Sequence, residues 1–186
     1  MISEKEKKHI SKFLSPVLRH QPELIGIKLD ANGWTDIETL IRNSAAKGIT
    51  FDRELLKQVV ETNSKKRFAF DETFDKIRAS QGHSVEVDLG YENRQPPEIL
   101  YHGTAIDHVS SILTGGLKKG ARQHVHLSGD YETAFAVGQR HGKPYVFKVL
   151  ADKMFRDGFG FYFSDNGVWL TDHVPGDYLL NREGLG

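Results

Sequence analysis

The sequence predicts an α+β protein built as two lobes, the first mostly helical and the second mostly β. Three observations carry this. Ile10, Phe13, Leu14, Val17 and Leu18 recur with the spacing of one helix face. Later runs such as "EILYHGT" and "PYVFKVL" are short, apolar and rich in β-branched or aromatic residues, as strands are. Between the two textures lies "DLGYENRQPPE", a polar stretch ending in Pro96-Pro97 that reads as a linker. The expected lobes are residues 1–90 and 96–186.

In the first lobe, Pro16 interrupts the helical pattern. Either the helix kinks there, or Ser15 caps a new turn with Pro16 at its first position; Pro22 then ends the element. "GIKLDANGWTDIETLI" reads as an extended piece, a turn at Asn32-Gly33 and a helix, with Thr35 and Glu38 at capping-box spacing and a stop at Gly48. Leu55, Leu56, Val59 and Val60 mark a third helix, and "KRFAF" and "DKIRAS" alternate like two strands joined near "DETF". Three helices followed by a hairpin is the order of a winged helix, a nucleic-acid-binding relative of helix-turn-helix, though any small α+β lobe could share it.

In the second lobe, "EILYHGT" reads as a strand ending in a polar turn, and "AIDHVSSILTGGL" as a helix ended by Gly115-Gly116. "HVHLS" is a strand, "DYETAFAVGQRHG" a helix capped by Asp130, "PYVFKVL" a strand, and "GFYFSDNGVWLT" a hairpin turned on Asn166-Gly167.

Composition narrows the function. With 38% hydrophobic and 27% charged residues among 186, the chain should fold as a soluble globule. Its 25 basic and 25 acidic side chains cancel, which argues against broad coating of nucleic acid but leaves room for a local basic pocket. The absence of cysteine excludes disulfide and thiolate chemistry. No apolar run approaches a membrane span, and "MISEKEKKHI" has no apolar signal core, so a cytoplasmic protein without a membrane partner is expected.

The chemistry-bearing residues are ambiguous one by one. Arg19-His20 could simply complement a helix dipole. Lys65, Lys66 and Arg67 could be a solvated turn, and Arg122 an exposed cation. His102 could be a core histidine and Gly103 a turn residue. His124 and His126, two apart on a strand, could pair on a metal, but no third ligand is evident and none is expected. No Gly-rich dinucleotide fingerprint, Walker lysine or HExxH occurs.

Order changes the reading. "LRH", "KKRF", "RASQGHS", "LYHGT", "ARQHVHLS" and "NGVWLT" follow one another from about Ser11 to about Leu180. In this the chain resembles the RNA 2′-phosphotransferases, which remove an internal 2′-phosphate from RNA using NAD as co-substrate. The resemblance implies an N-terminal winged-helix lobe that binds RNA, followed by a C-terminal ADP-ribosyltransferase-like β-sandwich lobe that holds NAD without a Gly-rich fingerprint. It implies an active quartet of Arg19, His20, Arg67 and Arg122. It places NAD near His102, Gly103, Thr104, His126, Ser128 and Val168, the last where many ADP-ribosyltransferases carry a catalytic glutamate. Gln81, Gly82, His83, Ser84 and Lys66 are expected near RNA or the lobe junction. Pro16, one turn before Arg19, departs from the family pattern and could shift the register of the pair. The partners implied are NAD and a tRNA-like RNA with an internal 2′-phosphate, and the chain is expected to be a monomer.

The implied reaction suits these residues. RNA 2′-phosphate attacks the nicotinamide ribose, giving a 2′-phospho-ADP-ribosylated RNA, and a ribose hydroxyl then releases 2′-OH RNA and ADP-ribose 1″,2″-cyclic phosphate. The first nucleophile is already an anion, so arginine forks that place it matter more than a base. A glutamate at position 168 would repel the incoming dianion by roughly 4 kcal/mol per charge pair at about 4 Å and an effective dielectric of about 20, and valine avoids this. The second step needs a proton carrier, for which His20 is the candidate. Two alternatives are an ADP-ribosyltransferase that leaves its product on a nucleic-acid phosphate or protein, and a non-catalytic winged-helix nucleic-acid-binding regulator.

Overall fold

A computed structural model describes residues 3–180. The chain divides into two compact units, one ending at Gly90 and one beginning at Tyr91. Each mixes helix and sheet, which is the α+β class expected.

The first unit opens with helix α1, Glu4–Arg19. It starts earlier than the apolar pattern suggests, because Ser3 and Glu6 form a reciprocal capping box. Pro16 neither splits nor restarts it: the helix is continuous through Arg19, and Ser15 Oγ donates to the Ser11 carbonyl instead of capping a new turn. The Pro16 carbonyl accepts from the backbone N–H groups of both His20 (2.9 Å) and Gln21 (3.0 Å), so Pro16 helps set where the helix stops. A 3₁₀ turn at Pro22–Ile25 follows, ending on left-handed Gly26.

Next come strand β1 at Thr35–Asp36, helix α2 at Ile37–Ala45 and helix α3 at Arg53–Glu61. The expected Thr35/Glu38 capping box does not form. Thr35 is buried in β1, and Asp36 caps α2 by accepting from Thr39 N at 2.7 Å. Strands β2 (Phe68–Phe70) and β3 (Lys76–Ala79) make the expected hairpin, and β1 adds to its far side in the order β1-β3-β2, all antiparallel. Leu14, Val17, Leu18, Leu40, Leu56 and Ile77 close the core beneath them. Each fully buried aliphatic side chain contributes about 1.5–3 kcal/mol.

In the second unit, strand β4 (Ile99–Ala105) leads into a 3₁₀ turn at Ile106–His108 and helix α4, Val109–Gly115. There is no turn at His102-Gly103-Thr104: these residues lie inside β4, whose pairing with a later strand continues through Ala105. Then follow β5 (Leu117–Lys118), β6 (Val125–Leu127), helix α5 (Tyr131–Gly138), β7 (Pro144–Leu150) and helix α6 (Ala151–Arg156). Strands β8 (Tyr162–Phe163), β9 (Trp169–Thr171), β10 (His173–Val174) and β11 (Leu179–Leu180) complete it. Two three-stranded sheets, β11-β7-β4 and β6-β9-β8, meet at a single antiparallel bridge between Tyr101 and Ser128. The hairpin loop spans 164–168 with Gly167 at φ 80°, a wider connection than two residues on Asn166-Gly167. Phe147, Phe161 and Met154 are fully buried at its core.

The expected linker is not a free tether throughout. It has no regular secondary structure, yet the Asn93 side chain accepts from Phe161 N, Arg94 N donates to the Phe161 carbonyl, and Gln95 donates to Asp152. Residues 93–95 are therefore fastened to the second unit. Among the described residues no helix is long and apolar enough to cross a membrane.

Candidate active site

In the first unit, the "QGHS" segment clasps the end of α1. Ser84 N donates to the Arg19 carbonyl at 2.9 Å, and Ser84 Oγ lies 2.9 Å from His20 Nδ1. One residue thus fixes both the backbone and one ring nitrogen of the pair, directing Nε2 away from the hydroxyl. Gly82, at φ 86°, lies against the Arg19 side chain; a Cβ there would sit 3.8 Å from its Cδ, Cζ and Nε. Arg67 belongs to the same region of backbone, because Ser80, just before Gln81, donates N–H to the Arg67 carbonyl and its hydroxyl to the Lys66 carbonyl. Lys66 makes the turn with a left-handed φ of 41° and is exposed.

His83, expected near RNA or the lobe junction, is buried at 1% exposure. Its two buried ring nitrogens have no hydrogen-bond partner among the described residues. Burial, followed by the positive charges of Arg19, Arg78 and His20, pushes its imidazole down to about 4. It is therefore neutral near pH 7 and stands behind the cations. Gly33, at φ 82°, makes room for it: a Cβ there would meet His83 Nε2 at 3.3 Å. Gln81 Oε1 is likewise buried and unpartnered among the described residues. Sequence reasoning missed Arg78, whose guanidinium stacks 4.4 Å over Trp34 and donates to the Asn32 carbonyl. The alternation of "DKIRAS" placed it on a strand but carried no hint of the aromatic partner.

In the second unit, His102 Nδ1 lies 3.1 Å from the His126 carbonyl. A carbonyl only accepts, so Nδ1 carries the proton. Burial outweighs the bond to the His126 carbonyl, which favours the charged ring, and with the Arg122 charge adding to it holds His102 below the usual histidine range. The neutral ring then offers Nε2 as an acceptor. Arg122, exposed before β6, donates to His126 Nδ1 at 3.1 Å, which leaves His126 protonated on Nε2 when neutral. Thr104 is buried with its hydroxyl 3.5 Å from His108 Nδ1, and Ser128 is held by the bridge to Tyr101. Val168 precedes β9, its backbone locked to Ser164.

Gly103 has a packing role. A Cβ there would lie 1.7 Å from the Ala134 carbonyl oxygen, so only glycine lets α5 sit on β4, and Gly138 answers it from the helix side against the Thr104 backbone. His124 and His126 do not act as a pair: His124 stacks edge-on to Tyr162 and lies 4.0 Å from Asp172, while His126 takes Arg122. Among the described residues no cluster of three metal-ligating side chains occurs.

Residues 5–173 match the sequence family described as RNA 2′-phosphotransferase, Tpt1 / KptA family. The chain belongs to this family of RNA 2′-phosphotransferases. Among curated relatives of this phosphotransferase family, a probable RNA 2′-phosphotransferase of Flavobacterium johnsoniae is 56% identical over 96% of this chain and 98% of its own length. Similar proteins of the same description from Acaryochloris marina and Agrobacterium fabrum are 50% and 55% identical, covering 97% and 91% of this chain and 99% and 91% of their own lengths. All the residues discussed here lie within the family match.

Proposed function

We propose that this chain removes an internal 2′-phosphate from RNA by transferring it to ADP-ribose taken from NAD. The first unit would act as an RNA-binding winged helix and the second as an ADP-ribosyltransferase-type sandwich that receives NAD. The reading is supported by the order of elements in the first unit, with β1 flanking the hairpin, and by the two bridged sheets of the second. The observation that carries it is the end of α1, where Ser84 holds the Arg19 carbonyl and meets His20 Nδ1 while Gly82 lies against the Arg19 side chain, so that an arginine and a histidine suited to phosphate chemistry are fixed at one turn.

Arg19 and Arg67 hold the RNA phosphate as rigid forks, and Arg122 supplies the fourth member of the quartet beside the NAD residues. Holding the reactants in attack geometry can contribute roughly 7–11 kcal/mol. His20, with Nδ1 committed to Ser84, carries the proton of the second step on Nε2. His102 offers Nε2 to a ribose hydroxyl, and its neutrality avoids a further positive charge beside the cationic nicotinamide ring that NAD brings.

The test mixes the protein with NAD and a short RNA carrying one internal 2′-phosphate. Loss of that phosphate with release of nicotinamide is expected. Persistence of an ADP-ribosylated RNA as the final product would favour a plain ADP-ribosyltransferase, and no nicotinamide release at all would overturn the reading. Arg122→Lys should lose most turnover, because an ammonium cannot reproduce the fork. In His20→Ala the 2′-phospho-ADP-ribosylated RNA should accumulate.

A further inference from the structure

We propose that one exposed stripe of α1 is a track for the RNA strand flanking the reacting nucleotide, formed by Lys5, Lys8 and Lys12 and running toward Arg19. The proposal rests on the RNA reading above and extends it to residues outside the quartet.

Helix geometry aligns these positions. At about 100° per residue, residues 5, 8, 12 and 19 fall within a sector of about 60°. Ile10, Leu14, Val17 and Leu18, the buried residues of the same helix, lie on the opposite side. At about 1.5 Å rise per residue the stripe extends roughly 21 Å from Lys5 to Arg19. Lys5, Lys8 and Lys12 are exposed, and none is ion-paired among the described residues. The two carboxylates of α1 lie off the stripe and are already engaged, Glu4 with Lys7 and Glu6 with Ser3. Between Lys12 and Arg19 the stripe carries Ser15 and Pro16, with no acidic side chain.

The stripe also has relief. Lys5, Glu6, Lys8, His9 and Lys12 edge a cleft of about 700 Å³, closed by Ile10, by Thr50 and by Leu55 of α3; Glu6 is the one carboxylate on its rim, and it is bonded to Ser3. A row of ammonium groups over a partly apolar floor suits a polyanion with sugar faces better than a compact phosphate, which would call for convergent forks. Since the whole chain is neutral, such a track would act locally, without coating the protein in nucleic acid.

The experiment compares the full-length protein with a variant carrying Lys5→Gln, Lys8→Gln and Lys12→Gln, and with a control carrying Lys28→Gln, Lys47→Gln and Lys57→Gln. Binding of an RNA long enough to span the stripe is measured by anisotropy across a salt series. Turnover of a 2′-phosphorylated dinucleotide is measured alongside. The stripe variant should bind the long RNA roughly ten- to fortyfold more weakly at physiological salt, with the slope of log Kd against log salt reduced by about 2, three contacts at about 0.7 each. Its kcat/KM on the dinucleotide should match the parent, and the control should keep the parent's slope. An unchanged slope in the stripe variant, or an equal loss in the control, overturns the proposal. So does a polyglutamate peptide that competes as well as RNA. If the parent fails on the dinucleotide, the reading of the reaction is what fails, and the binding series still decides the track.

Discussion

In the first unit, Arg19, His20, Gln81 and Ser84 stand where regular structure stops: at the last turn of α1 and just past β3. In the second, His102 and Thr104 stand within β4 and His126 within β6. The ends of helices and strands leave backbone groups to be satisfied, and here those groups do the positioning, Ser84 N on the Arg19 carbonyl being the clearest case. Strand residues have none to spare, so their side chains are aimed by register: His102 opposite Phe147, His126 opposite Leu170. The difference teaches where each unit is vulnerable. A strand-borne site fails when the sheet or the helix covering it is displaced. A terminus-borne site fails when single hydrogen bonds or buried charges change, while the fold persists.

The largest expected effect tests the strand-borne half. Gly103→Ala should destabilise the protein by more than about 3 kcal/mol in urea unfolding, because the added methyl meets the backbone of α5 rather than a yielding side chain. Gly129→Ala, in open space in the same unit, should be close to neutral. Equal, small effects at both positions would break the comparison.

The next concerns His83. Its imidazole titrates at about 4 in the fold against an ordinary 6.5, so below pH 6.5 the unfolded chain takes a proton that the folded chain refuses. The stabilising contribution is whole above pH 6.5 and is lost as the pH falls toward 4, amounting to about 2–3 kcal/mol by pH 4.5. Urea titrations at pH 7 and 4.5 should show His83→Leu losing less stability over that interval than the parent by about this amount. Identical losses would show that His83 is not held neutral.

Ser84→Ala sharpens the picture of the α1 terminus. Removing one hydrogen bond of about 0.5–1.5 kcal/mol should lower kcat on a 2′-phosphorylated RNA roughly two- to tenfold. KM should hold, the pH profile should move, and Ser84→Thr should restore the rate. An unmoved pH profile would leave Ser84 no part in orienting His20.

The smallest effect compares helix starts. Asp36 and Asp130 cap α2 and α5 in the same way, each accepting from the N–H three residues on at 2.7 Å. Either Asp→Ala change should cost about 1 kcal/mol in thermal or urea unfolding. If the second unit receives NAD as proposed, only Asp130→Ala should also weaken that binding, since α5 rests on the strand that carries His102.

Much of the architecture was legible because its signals are local. Hydrophobic spacing marked α1, α3 and β7, and Asp130 announced the start of α5 one residue ahead. What misled was also local evidence. Thr35 and Glu38 have the spacing of a capping box, but β3 claims Thr35 for a third strand, and the cap passes to Asp36. Pro16 signals an interruption, yet near the end of a helix its carbonyl can serve the terminus while its missing N–H costs only one bond. Short strands such as β5 and β10 carry no period to read, since each exists only through the other.

The candidate site divides along the same line. Taken singly, Arg19, His20, Arg67 and Arg122 were ambiguous, and only the resemblance carried by the order of the motifs brought them together as an expected quartet. Only the tertiary structure decided that His83 is buried and neutral, that Gly103 admits a helix rather than turning the chain, and that Ser84 Oγ meets His20 Nδ1. Those roles depend on which atoms are brought close by residues distant in the chain, and burial and approach distance are properties of packing, not of composition or spacing.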